Sequence, residues 1–123
     1  MKFYPLASEL ANEVLFAGYK EGREIGKARL GAKCLYFRDK LKVYYIPYED
    51  MTRVFRRVLL IPAKMCCGKG DFEVENIVIC TEKGEVAQVQ LPGERAGKIM
   101  LEELAKRAPQ AEVGKPKDSA AEK

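Results

Sequence analysis

Histidine and tryptophan are both absent from this 123-residue chain. Without histidine the commonest general base near neutral pH is missing, so a nucleophilic cysteine or serine needs a carboxylate or lysine partner. Cysteine is scarce as well. Cys34, Cys66, Cys67 and Cys80 form neither the paired C-x2-C spacing of a zinc site nor the framework of a disulfide-stapled secreted domain, and no metal or cofactor is expected. No apolar run approaches the roughly 18 residues that span a bilayer. Met1-Lys2-Phe3-Tyr4-Pro5 lacks the apolar core of a signal peptide, so the expected location is the cytoplasm. A lopsided charge is missing too: 22 Lys and Arg against 18 Asp and Glu leave +4, short of the strongly basic footprint of a nucleic-acid binder.

What is present is the composition of an ordinary globule, 47% hydrophobic and 33% charged, long enough to bury one core without staples. The cations are unevenly placed. Residues 20–42 carry eight basic side chains against three acidic ones, and residues 51–70 carry Arg53, Arg56, Arg57, Lys64 and Lys69 with no acid. From Asp71 onward acids outnumber bases, eleven to eight, so the central strands are expected to present the positive surface.

Period-two alternation and turn residues predict a mainly β chain with helices at its ends. Leu6 to Asn12 reads as a short helix and Val14 to Tyr19 as the first strand, followed by a turn at Lys20-Glu21-Gly22. Glu24 to Lys33 reads as a second strand with Lys27 and Arg29 on one face. Leu35 to Phe37, Val43 to Ile46 and Met51 to Ile61 supply three more, the first two joined by a turn over Arg38 to Lys42. Pro62 to Gly70 breaks the pattern as a loop. Phe72 to Thr81 and Glu85 to Leu91 form a hairpin around Glu82-Lys83-Gly84. The stripe Ala96, Ile99, Met100, Leu104, Ala108 predicts a helix from Gly93 or Glu94 to Arg107, stopped by Pro109, and Gln110 to Lys123 has the composition of a disordered tail.

About seven strands closed by one C-terminal helix is the element order of a pleckstrin-homology (PH)-like domain, and three segments carry the resemblance. Asn12-Glu13-Val14-Leu15-Phe16-Ala17-Gly18 is similar to the acidic-then-apolar opening strand of bacterial PH and GRAM-type families. Leu30 to Phe37 resembles their "LT-x-x-RLYF" strand, with Gly31 in place of Thr and Cys34 in place of Arg. Ile46-Pro47-Tyr48-Glu49-Asp50-Met51-Thr52-Arg53-Val54 resembles their "IPYEDI-x-x-V" segment. The resemblance spans roughly residues 12–108. It implies a partly open barrel of two packed antiparallel sheets capped by the helix, one domain over residues 1–108, and a non-catalytic role in binding membranes, peptides or further copies of itself.

Three groups of residues are candidates for that role. Tyr44, Tyr45, Phe55 and Arg57 lie close together in a ladder that one barrel face cannot bury, and Tyr and Arg are enriched at interaction hot spots, so a partner protein or a homo-oligomer is the leading expectation. Lys20, Lys27 and Arg29 follow the arrangement by which phosphoinositide-binding PH domains hold a headgroup, which makes an anionic membrane surface the alternative. Cys66 and Cys67, flanked by Lys64 and Lys69, are candidate reactive thiols for a redox or metal role. Gly68-Lys69-Gly70 lacks the glycine spacing and trailing Ser or Thr of a phosphate-binding loop.

Overall fold

The computed structural model describes residues 2–61 and 72–114. Among these residues nine strands form two sheets. In the first, β1 (Phe3–Pro5), β2 (Arg23–Ile25), β3 (Ala28–Leu30), β4 (Cys34–Asp39) and β5 (Lys42–Pro47) run in the order β1-β5-β4-β3-β2. The second holds β6 (Arg53–Ile61), β7 (Phe72–Thr81), β8 (Gly84–Leu91) and β9 (Glu112–Val113) in the order β8-β7-β6-β9. The expected antiparallel ladders are there, but each sheet also gains one parallel edge strand, β1 on β5 and β9 on β6. The sheets stay separate, so the mainly β sandwich is open rather than a closed barrel.

Alternation builds the core between them. On β8, Ala87, Val89 and Leu91 are buried while Gln88 and Gln90 face out. These meet Leu35, Phe37 and Ile46 of the first sheet and Val54, Ile77 and Ile79 of the second. Helix α2 (Glu94–Arg107) spans the residues its apolar stripe predicts and drives Met100 and Leu104, both fully buried, into that core. Burial of the two stabilises the fold by about 3–6 kcal/mol, an upper bound on area grounds.

The N-terminal expectation fails. Val14 to Tyr19 is not a strand but part of helix α1 (Asn12–Glu21), and Leu6 to Ala11 is not helical. The helix lies on the outer face of the first sheet, where Leu15 joins Phe3, Cys34, Tyr36, Val43 and Tyr45 in a second core. Tyr36 fixes the contact: its hydroxyl donates to the Leu15 carbonyl at 2.6 Å. A Cβ at Gly18 would stand 2.7 Å from that hydroxyl oxygen, so the close approach requires glycine. The first sheet is therefore covered on both faces.

Two further segments differ from expectation for local reasons. Glu24 to Lys33 is not one strand, because Gly26 at φ 60° turns the chain and makes β2 and β3 a tight hairpin. Beyond α2 the chain is ordered through Gly114: the Gln110 side-chain amide donates to the carbonyls of Tyr48 and Met51 at 2.8 and 3.0 Å, and β9 pairs with β6. Residues 110–114 are thus not the tail expected from Gln110 onward, and the rest of that segment lies outside the described residues. Tyr48-Glu49-Asp50 forms a 3-10 turn whose buried Tyr48 donates its hydroxyl to the Gly31 carbonyl at 2.7 Å, so the "IPYED" segment bolts the first sheet to the start of the second.

Candidate functional site

The arginines of β6 are all neutralised inside the fold. Arg53 pairs with Glu112, and Arg57 pairs with Glu85 at 3.0 Å while also donating to Gln88 at 2.7 Å. Arg56 grips the buried Glu75 with two hydrogen bonds, one of 3.1 Å, and Glu94 lies 3.9 Å away. Arg29 is similarly occupied. It donates to the Tyr19 carbonyl at 3.2 Å, lies 3.6 Å from Glu24 and covers the Tyr19 ring at 4.5 Å. In contrast Lys2, Lys27, Arg38, Lys40 and Lys42 are exposed and have no carboxylate partner among the described residues.

Those five cations gather at one end of the first sheet, around the β4–β5 hairpin. Its register sets Arg38 opposite Val43 and Asp39 opposite Lys42, which leaves Lys40 and Leu41 as the tip. Lys40 takes the left-handed conformation at φ 59°, and Leu41 is fully exposed. Parallel pairing of β1 with β5 brings Tyr4 alongside, and its ring has the ammonium groups of Lys42 and Lys2 at 5.1 and 5.5 Å. Tyr44 supports Tyr4 from behind at 5.8 Å and is stacked on Phe37 at 5.6 Å. The β2–β3 turn is tied to the same place by the Arg38 backbone N–H, which donates to the Lys27 carbonyl at 3.0 Å.

Three shallow clefts adjoin this end, of about 140, 220 and 350 Å3, and Arg38 lines all of them. Lys27 lines the two smaller ones. Lys2, Tyr4, Lys40 and Leu41 line the largest of the three. A cleft of opposite character lies at the other end of the sheet. It measures about 560 Å3, is lined by Glu49, Asp50 and Glu82 with Lys83, and has the Ser8 backbone N–H donating to Asp50 at 2.9 Å.

The residues singled out from sequence separate into different fates. Lys27 and Arg29 line the same cleft with Arg38, although Arg29 is also engaged by Tyr19 and Glu24, and Lys20, exposed on the last turn of α1, lines none of the clefts described. Tyr45 and Phe55 are buried and so leave the expected aromatic interface. The Tyr45 hydroxyl accepts from the Leu10 backbone N–H, and Phe55 lies under the Arg57 guanidinium at 5.5 Å. Tyr44 is half-buried against the main core. Cys66 and Cys67 lie outside the described residues. Of the other two thiols, burial pushes Cys34 up to about 11 and also raises Cys80, which keeps both protonated and unreactive near neutral pH.

Arg38 and Leu41 were not among the expected site residues. Their signal is the turn Arg38-Asp39-Lys40-Leu41-Lys42, in which a large apolar residue sits where a hairpin of this kind ordinarily carries only polar ones. Among the described residues no cluster of three or more Cys, Asp or Glu is arranged to hold a metal ion. No helix among them is long and apolar enough to cross a membrane. Comparison with protein-family models, with curated proteins and with solved structures finds no match.

Proposed function

We propose that the protein is a non-catalytic binding module of PH-like architecture that docks an anionic ligand on the basic end of its first sheet. The order of elements supports the architecture: β2 to β5, then β6 to β8, then a C-terminal helix, with α1, β1 and β9 added around that frame. The observation that carries the binding reading is the set Lys2, Lys27, Arg38, Lys40 and Lys42, gathered on one rim with no ion pair to a carboxylate among the described residues while the cations of β6 are consumed by the fold. Phosphate or carboxylate oxygens are the ligand chemistry such a rim attracts. Calorimetric titration with inositol hexakisphosphate as a polyanionic probe tests it. Binding is expected to weaken by tenfold or more in Arg38→Glu with Lys42→Glu and to fall as salt rises. Equal binding by that variant and by the native chain overturns the reading.

A second reading, association with a protein partner or another copy, rests on a different surface from the one the sequence suggests. Past the pairing of Glu75 with Leu91, β7 is bonded to β6 alone among the described residues, and on this ribbon Val58, Leu59 and Leu60 are all exposed. Val58 and Leu60 lie on one face of the ribbon and Leu59 on the other, apolar surface of the kind that partners cover. Light scattering of the native chain and of Leu60→Lys distinguishes it: a native chain that stays monomeric at high concentration removes self-association.

A further inference from the structure

Resting on the anionic-ligand reading above, we propose that the ligand is the surface of an acidic lipid bilayer, and that the β4–β5 hairpin inserts Leu41 into it. A single exposed leucine is ordinary on a protein surface. Leu41 differs in its setting: it is fully exposed at the tip of a two-residue turn, flanked in sequence by Lys40 and Lys42, with Lys2 and Arg38 lining the same cleft. Charges arranged around an apolar point suit an interface where headgroups are anionic and acyl chains begin just below. Tyr4 and Tyr44 stand behind the tip, where an aromatic ring with a polar hydroxyl fits the headgroup level.

The distribution of the cations argues for a surface over a single soluble molecule. They are spread along a rim across three clefts; the smallest brings Lys27, Arg29 and Arg38 together, but Glu24 lines it as well and Arg29 is held there by Glu24 and the Tyr19 carbonyl. A stereospecific phosphate site needs donors converging on one group. A bilayer presents many headgroups at once and rewards dispersed charge. Polarity also sets the orientation. Glu49, Asp50 and Glu82, with Lys83 as the one cation among them, line the cleft at the opposite end of the first sheet, so an anionic surface favours the hairpin end over the other.

The absence of native tryptophan makes the test direct, because Leu41→Trp places the sole indole at the tip. With the full chain and vesicles of phosphatidylcholine and phosphatidylserine, emission from Leu41→Trp is expected to shift to the blue and to be quenched by brominated acyl chains. Pure phosphatidylcholine is expected to give neither change. Leu41→Ser should bind the acidic vesicles about tenfold more weakly, from the lost apolar transfer, and each of Lys40→Ser and Lys42→Ser about fivefold more weakly. Exchange of phosphatidylserine for phosphatidylglycerol at equal charge should change little. Acidic-vesicle binding that is indifferent to Leu41→Ser, or an emission that does not shift, overturns insertion. Inositol hexakisphosphate binding without vesicle binding overturns the bilayer as ligand but leaves the anionic site standing. Failure of both probes removes the site altogether. Since Leu41 touches no core, the unfolding midpoints of its variants should match the native one, which separates loss of binding from loss of fold.

Discussion

The β6 strand and the β4–β5 hairpin contain the same kind of charge and use it in opposite ways. On β6, each arginine faces a carboxylate brought by a distant part of the chain: Glu112 from β9, Glu75 from β7, Glu85 from β8. On the hairpin end, Lys27, Arg38, Lys40 and Lys42 have Asp39 in the turn and Glu24 beside them, and among the described residues no ion pair joins them to either. Basic runs in a sequence therefore do not translate into basic surface. On the hairpin Arg38 has the aliphatic Val43 as its cross-strand neighbour, and Lys42 stands opposite Asp39 without forming an ion pair with it.

If that contrast is right, removing a β6 arginine damages the fold and removing a hairpin cation does not. The largest effect is expected at Arg56. Its partner Glu75 is 5% exposed and is wedged against Gly97, where a Cβ would stand 2.1 Å from the carboxylate oxygen. Arg56→Met leaves that carboxylate buried without a counter-charge, which costs about 3 kcal/mol. Arg56→Met with Glu75→Gln should recover most of it. Arg38→Glu, on an exposed position, should stay within about 0.5 kcal/mol of the native chain. Urea unfolding compares them, and equal losses at the two positions abolish the distinction.

Alkaline pH sharpens the comparison without mutation, through the buried groups of the core. Burial raises Cys34 from 9.0 to about 11, and it raises Tyr36 and Tyr48 as well, with Arg107 opposing the rise at Tyr48. Each of these groups ionises more easily in the unfolded chain, so the folded state holds more protons above pH 9. Stability is then fully present below about pH 9 and falls as pH climbs from 9 toward 11. Thermal unfolding across that range should show a falling midpoint, and Cys34→Ala should remove the earliest part of the decline. A midpoint that stays level through pH 10.5 contradicts the burial account.

The parts of this molecule legible in its sequence are those held by near neighbours. Helix α2 was readable to its ends because its stripe and Pro109 are local signals, and the β7–β8 hairpin because Gly84, at φ 103°, marks its turn. Val14 to Tyr19 was not, since six apolar residues in a row suit strand or buried helix equally, and the deciding contact, Tyr36 against Gly18, lies far along the chain. The same omission misplaced the interface. Alternation implied that part of the aromatic ladder had to face solvent, but α1 covers the second face of the sheet and takes in Tyr45. On the other sheet, Phe55 disappears beneath a paired arginine. Of the basic end, Lys27 was legible as a cation near Arg29, though it lies in the β2–β3 turn and not on a strand, whereas the freedom of Arg38 depends on which acids the fold spends elsewhere.

The smallest predicted effect separates stability from binding at a single residue. Lys40 holds a left-handed backbone, which a side chain with a Cβ adopts at a cost of roughly 1–2 kcal/mol. Glycine adopts it freely but loses about 0.4–1 kcal/mol through the greater freedom of the unfolded chain. Lys40→Gly should therefore be more stable than the native protein by something under about 1 kcal/mol, read as an increase of a few degrees in midpoint. The same change removes one of the rim's cations and should weaken binding to acidic vesicles about fivefold. Lys40→Ala keeps the strain and loses the charge, so it should bind as poorly as Lys40→Gly with no gain in stability. A residue kept for the turn alone predicts the reverse, since glycine would then be the better residue there by both measures. Undiminished vesicle binding by Lys40→Gly, alongside its higher midpoint, would show that the hairpin tip does not touch the membrane.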